Sequence, residues 1–175
     1  NAMDIWRGNY LYSSKTFGGK VLQGLSRATW ERAQQYLGYS YAHMRNGFDQ
    51  VDVRYFYGAL VVNKNSSLIK ADEEGHKHFF GATLGNVING WGIDDDSDPM
   101  LYHEYGHTIQ SRIFGPGYLY HASASLINMG THKGRHFRFH IERQANRYAK
   151  SYFGEDIWNK IMIESGKDSH YPTYK

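Results

Sequence analysis

His103-Glu104-Tyr105-Gly106-His107 is the segment of this sequence whose residue types and spacing can do chemistry. Histidines four apart stand one above the other on the same face of a helix, so both imidazoles can reach one metal ion. Glu104, beside the first histidine, projects next to such an ion, where a carboxylate can take a proton from bound water. The pattern is short, and the chain holds 10 histidines. With this composition an accidental match has a probability of about 2%, so the flanking residues have to decide.

The flanks predict a helix over 99–114. Asp98 is a favoured N-cap, and Pro99 suits the first helical position, where its missing N–H would have no partner anyway. Leu101, Tyr105, Ile109 and Ile113 repeat at four-residue spacing and give the helix an apolar side. Gly115-Pro116 stops it after Phe114. A catalytic zinc usually takes three protein ligands and keeps a fourth position for water. One class of zinc proteases supplies a third histidine six residues after the second. Ile113 stands there, and Gln110 replaces the usual glycine, so that class is excluded.

A candidate third group lies downstream. Ile141, Ala145, Tyr148, Ala149 and Tyr152 fall on one side at helical spacing and predict a second packed helix over 139–153. Glu142 and Asn146 are four apart and share a face of it. With the upstream motif, this arrangement resembles the gluzincins. The resemblance implies Glu142 as third ligand beside His103 and His107, with Zn²⁺ as the ion. It sets Asn146 where the family carries an acidic residue that hydrogen-bonds a ligand histidine. An amide oxygen still accepts from an imidazole N–H, but it brings no charge to raise ligand basicity.

A longer likeness covers roughly residues 50–153. Residues 81–90 and 103–119, Ala124-Ser125-Leu126, and the series His136, Phe139, Glu142, Ala145-Asn146 resemble a family of Bacteroidetes proteins. Related domains look like terminal modules of large repeat-containing secreted proteins. This implies a zincin-like helix pair in a bacterial protein, exported rather than cytoplasmic. His136 then has a place as oxyanion stabiliser or as orienter of Glu142. Tyr118, with Tyr120, His121 and His132, lies in or beside the connection that could wall the site, and Tyr118 is a candidate substrate or oxyanion contact.

Length and composition bound the rest. The 175 residues suffice for one domain with its own core, expected over 4–175. Asn1-Ala2-Met3 reads as the remnant of a cleaved tag. No apolar run approaches the ~20 residues of a membrane span. A net charge of only +3, with basic residues dispersed, gives no footprint for nucleic acid. The absence of cysteine removes disulfides, thiolate metal sites and cysteine nucleophiles together.

Periodicity orders the elements. A helix is predicted over 20–46, ended by Gly47. Alternation predicts a strand over 51–62, a turn at 63–67, a short strand at 68–71 and a turn at 72–75. A further strand is predicted over 78–88, with Asn89-Gly90 at its end. Residues 94–98 form an acidic loop that caps the next helix, a better reading than a calcium loop. The connection 115–137 holds a short helix at 122–129, and a last helix runs from 155 to 164. The fold class is therefore α+β: a small, mostly antiparallel sheet packed on an N-terminal helix and the 99–114 helix, with C-terminal helices. This order matches the zincin plan, in which the strand before the motif helix is often the edge that pairs with extended substrate. Gly81 and Gly85 in that strand mark either a bulge or close packing. Gly106 inside its helix costs about 1 kcal/mol, which points to close approach by another element.

The function expected is hydrolysis of a peptide or protein substrate by zinc-bound water, with Glu104 as general base. The alternative is a zincin-like binding or structural module with weak or no catalysis, part of an exported toxin-like protein. The intact Glu104 speaks against that alternative, because holding a metal does not need it. Substrate and oligomeric state leave no mark in these patterns.

Overall fold

Two strands buried on both faces organise the core. The computed structural model describes residues 1–73, 75, 77–131, 139–167 and 170–173. Strands β2 (Ala59–Lys64) and β4 (Val87–Trp91) pair in parallel, Leu60 opposite Val87 and Val62 opposite Asn89. Strand β1 (Asp52–Phe56) joins β2, and β3 (Phe80–Leu84) joins β4, both antiparallel, in the order β1-β2-β4-β3. The sheet is therefore mixed, with antiparallel outer pairings and a parallel central one. The continuous apolar run of β2 suits a strand covered on both sides. On one face, Leu60, Val62 and Val87 meet Ile5 of α1 (Ala2–Gly8) and Tyr39 and Ala42 of α3 (Arg32–Phe48). On the other, Val61 and Ile88 meet Leu101, Tyr102 and Tyr105 of α4 (Pro99–Phe114). Behind α4 stand α6 (His140–Phe153) and α7 (Glu155–Glu164), which add Ala149, Phe153, Trp158 and Met162 to that cluster. The chain is thus α+β in layers, with α2 (Phe17–Ala28) and α5 (Gly117–Thr131) completing its seven helices among the described residues.

Several expected elements divide, for tertiary reasons. The helix expected over 20–46 is two, α2 and α3, broken at Thr29-Trp30-Glu31. The break lets the Trp30 indole N–H reach the Arg112 carbonyl at 2.9 Å, while the Gln34 amide reaches Gly115 O at 2.7 Å. The Arg112 carbonyl has no donor within α4, and the Gly115 C-cap carbonyl adds this bond to the one it accepts from the Tyr118 N–H. Gly47 does not end α3, which runs to Phe48. The strand expected over 51–62 is the hairpin β1–β2, turning at Tyr57-Gly58 with φ of 47° and 81°. A two-residue hairpin turn favours positive φ, but a tyrosine rarely supplies it. Here the Tyr105 hydroxyl donates to Tyr57 O at 3.1 Å, and the Tyr57 ring packs 5.1 Å from that of Phe153. The strand expected over 78–88 is likewise a hairpin, β3–β4, turning at Gly85-Asn86 with Gly85 at φ 64°. Its first arm, β3, is the sheet edge, and β4, the strand directly before α4, is interior. Residues 66–68 form a short 3₁₀ turn rather than leading into a strand, and α5 is longer than the helix expected over 122–129. Asn1, expected as part of a remnant, donates its amide to Val51 O at 2.8 Å.

Helix α4 keeps its predicted bounds. The Asp98 carboxylate accepts from the Met100 N–H at 2.9 Å, and Pro99 occupies the first turn. The other acidic residues of the loop have local donors too: Asp94 accepts from Ser66 N–H, Asp95 from Ser97 N–H, and Asp96 pairs with Arg54. The helix is buried almost all round, and its polar residues His103, Glu104, His107, Thr108, Gln110 and Ser111 are buried with the rest. Its closest neighbour is α6. A Cβ at Gly106 would lie 2.1 Å from the Ala145 carbonyl oxygen, so the two backbones touch there. Gly106→Ala must push α4 and α6 apart and should cost at least about 2 kcal/mol of stability in urea unfolding. Unchanged stability would mean that the helices do not meet at this point.

Candidate metal centre

The contact at Gly106 sets one face of α4 against one face of α6. His103 and His107 stand one turn apart on the first, and Glu142 and Asn146 one turn apart on the second. Glu142 Oε2 lies 3.1 Å from His103 Nε2 and 3.1 Å from His107 Nε2. All three groups are buried, and their candidate donor atoms lie within 4.8 Å of one another. The structure thus brings Glu142 to both histidines of the motif.

The far sides of both imidazoles are fixed by amides. His103 Nδ1 is 2.7 Å from Asn146 Oδ1, and His107 Nδ1 is 2.7 Å from Gln110 Oε1. Each amide is held in that orientation by its own NH₂ group. Asn146 Nδ2 donates to Pro172 O at 3.0 Å, and Gln110 Nε2 donates to Ile141 O at 2.9 Å and to Gln144 Oε1 at 3.0 Å. An amide oxygen can only accept, so Nδ1 carries the proton on both rings. In the neutral tautomer, each Nε2 then offers its lone pair toward Glu142.

The donor set can be tested against a divalent ion. Without one, the short Nε2 to Oε2 approaches need a proton on Nε2, which places imidazolium charge in a buried cluster. Burying such charges costs several kcal/mol each. One divalent ion would instead take both lone pairs and the carboxylate oxygen with both rings neutral. Two donors about 2.1 Å from one ion at a tetrahedral angle stand roughly 3.4 Å apart, close to the 3.1 Å seen here. Burial opposes an imidazolium at His107, yet the charge and hydrogen bond of Glu142, with Glu104 and Gln110 behind, push its pKa up to about 9. Burial likewise opposes ionisation of Glu142, but His107 and His103 hold its carboxyl well below the usual range. The spot between these side chains favours positive charge.

Glu104 stands beside this cluster, 5% exposed. Thr83 Oγ1 on edge strand β3 donates to Glu104 Oε2 at 2.7 Å. Gly81 explains itself here: a Cβ would lie 2.5 Å from the Glu104 carboxyl carbon, so this glycine marks close packing rather than a bulge. Glu104 and the three candidate ligands line one cavity of about 490 Å³, between β3 and α5. Its wall beyond them is mostly apolar, with Ala82, Met100, Leu126, Met129 and Ile141.

Tyr118 also lines the cavity, but its hydroxyl donates to Thr83 O at 2.7 Å and ties α5 to the sheet edge. Burial, with the charges of Glu104 and Glu142, raises its pKa well above the usual phenol value. Tyr120 is exposed, and His121 packs on Phe114. His136 and His132 lie outside the described residues.

Four side chains at the site have no role assigned from the sequence, Ser125 among them although it belongs to the longer likeness. Gln110 follows His107 by three residues on a helix, a spacing that could have exposed it. Ser125 on α5 donates to Glu142 Oε1, the oxygen not shared by the histidines. Thr83 holds Glu104, and Tyr171 places its ring 5.1 Å from that of His103. The last three come from elements far away in sequence and leave no local signature.

No protein-family model matches the sequence, and no curated protein or solved structure is detectably similar to it. Among the described residues, no helix is long and apolar enough to cross a membrane.

Groups that orient a metal ligand typically contribute about 10–100-fold to metal affinity. If the cluster takes up a divalent ion, Ser125→Ala and Gln110→Leu should each weaken its binding by about 10-fold or more in competition with a chromophoric chelator. Circular dichroism should show the fold retained. Unaltered affinity in both variants would remove these residues from the centre.

Proposed function

We propose that this protein is a zinc-dependent peptidase with a zincin-like site, in which His103, His107 and Glu142 hold the ion and Glu104 is the general base. One observation carries the reading: two imidazole nitrogens and one carboxylate oxygen converge in a buried cluster, with a second carboxylate beside it on the wall of an open cavity. Two nitrogens and one oxygen suit zinc, and three protein ligands leave a position for substrate chemistry. Zinc bound there supplies a Lewis acid that polarises a carbonyl and acidifies water.

The chain's own residues do the rest. Asn146 and Gln110 keep both imidazoles in one tautomer and orientation, so the ligand geometry needs no rearrangement. Ser125 engages one oxygen of Glu142 and directs the other toward the histidines. Thr83 holds the Glu104 carboxylate at the cavity wall, where it takes a proton from the attacking water and passes it to the leaving amine. Strand β3 borders the cavity as the sheet edge, where an extended peptide can add as a further strand. Water-mediated attack fits this site better than a covalent route. Cysteine is absent from the chain, and Ser125, the serine on the cavity wall, donates to a carboxylate that the histidines share.

Glu104→Gln separates this function from a binding or structural module that merely holds metal. The variant should keep its zinc yet lose at least about 100-fold in cleavage of a mixed peptide library, read by mass spectrometry. Cleavage at the wild-type rate would show that Glu104 is not the base. A wild-type chain that binds zinc and cleaves no peptide would support the module instead.

A further inference from the structure

One of the two amide locks is not built from the helix pair. Gln110 is held by Ile141 O and Gln144 Oε1, both belonging to α6, whose partner helix carries Gln110 itself. Asn146 is held by Pro172 O, 26 residues further along the chain, in the segment that follows α7. The neighbouring Tyr171 is 4% exposed, belongs to the main core cluster and faces the His103 ring. We propose that Tyr171-Pro172 is a positioning segment of the metal centre, in which the Pro172 carbonyl sets the rotamer of Asn146 and so decides which nitrogen of His103 offers its lone pair.

A side-chain amide is nearly symmetric in shape, so Asn146 fits its fully buried slot in two orientations. In the observed one, NH₂ faces a carbonyl and Oδ1 faces His103 Nδ1. Turned over, the amide would set its oxygen against the Pro172 carbonyl, acceptor against acceptor. It would also offer an N–H to Nδ1, which would then have to be unprotonated. The proton would move to Nε2, the atom that faces Glu142. A protonated Nε2 cannot ligate a metal. The Pro172 carbonyl disfavours that alternative, because it would leave two acceptors facing each other without a donor, that of Asn146 fully buried. An aspartate at this position would need no such lock, since both of its oxygens accept. The amide at Asn146 therefore makes His103 depend on the tail.

This proposal depends on the metal reading, and the test separates the two. Zn²⁺ dissociation constants are measured by chelator competition for four proteins. They are the full chain, a chain ending at Tyr171, the full-length Asn146→Asp variant, and the shortened chain carrying Asn146→Asp. Ending at Tyr171 keeps the buried ring and removes the Pro172 carbonyl. Shortening should weaken zinc binding by about 10-fold or more with Asn146, and by no more than about 2-fold in the Asn146→Asp background. Equal losses in both backgrounds, or none in either, overturn the proposal and leave the metal site standing. A full chain that takes up no Zn²⁺ overturns the metal reading and this proposal with it. Should the shortened chain not fold, hydrogen exchange on the full chain decides. Zinc should slow amide exchange at Tyr171 and Thr173 in the wild type, and do so far less in Asn146→Asp. Exchange that zinc leaves unchanged in the wild type overturns the proposal.

Discussion

Everything at the centre depends on the backbone contact between α4 and α6 at Gly106 and Ala145. The glycine has no side chain to hold the helices apart, so the Ala145 carbonyl comes within the space a Cβ would fill. At that separation a turn of α4 on either side of Gly106 faces a turn of α6 on either side of Ala145. Histidines at 103 and 107 meet a glutamate at 142 and an amide at 146, at hydrogen-bonding distances. A wider spacing would break the contacts of both histidines with Glu142 and of His103 with Asn146, all of them buried. Small-residue packing and polar satisfaction therefore specify the same register.

The charges of the site follow from its choice of neutral partners. Glu104 and Glu142 are two buried carboxylates, and the groups behind the histidines are amides. A divalent ion with neutral imidazoles would balance those two charges. Carboxylates behind both histidines would add two more negative charges to a cluster that water barely reaches. Asn146 adds no charge to the two buried carboxylates. Its cost is orientation: an amide must be told which way to face, and Pro172 does so.

The legible parts of the chain were those whose signals are local. Asp98, Pro99 and Gly115 bound α4 through capping chemistry that needs no tertiary contact, and the helical stripe of α6 placed Glu142 and Asn146 on one face. The hairpins were less legible. Tyr57 adopts positive φ under tertiary contacts with Tyr105 and Phe153, so within the alternation through 51–62 only Gly58 marks the turn. The break between α2 and α3 serves the end of α4, far away in sequence. At the site, Ser125 and Thr83 act from other elements, and the Pro172 group is a backbone carbonyl, which every residue carries and no sequence pattern marks.

His103, His107 and Glu142 are proposed to form one site for one divalent ion. Native mass spectrometry of the chain prepared without chelator, against a His107→Ala and Glu142→Ala double variant, tests it most directly. One zinc per wild-type chain and none on the double variant, with both proteins folded, is the expected result. A wild-type chain that stays metal-free in excess zinc, or a double variant that keeps its ion, would contradict it.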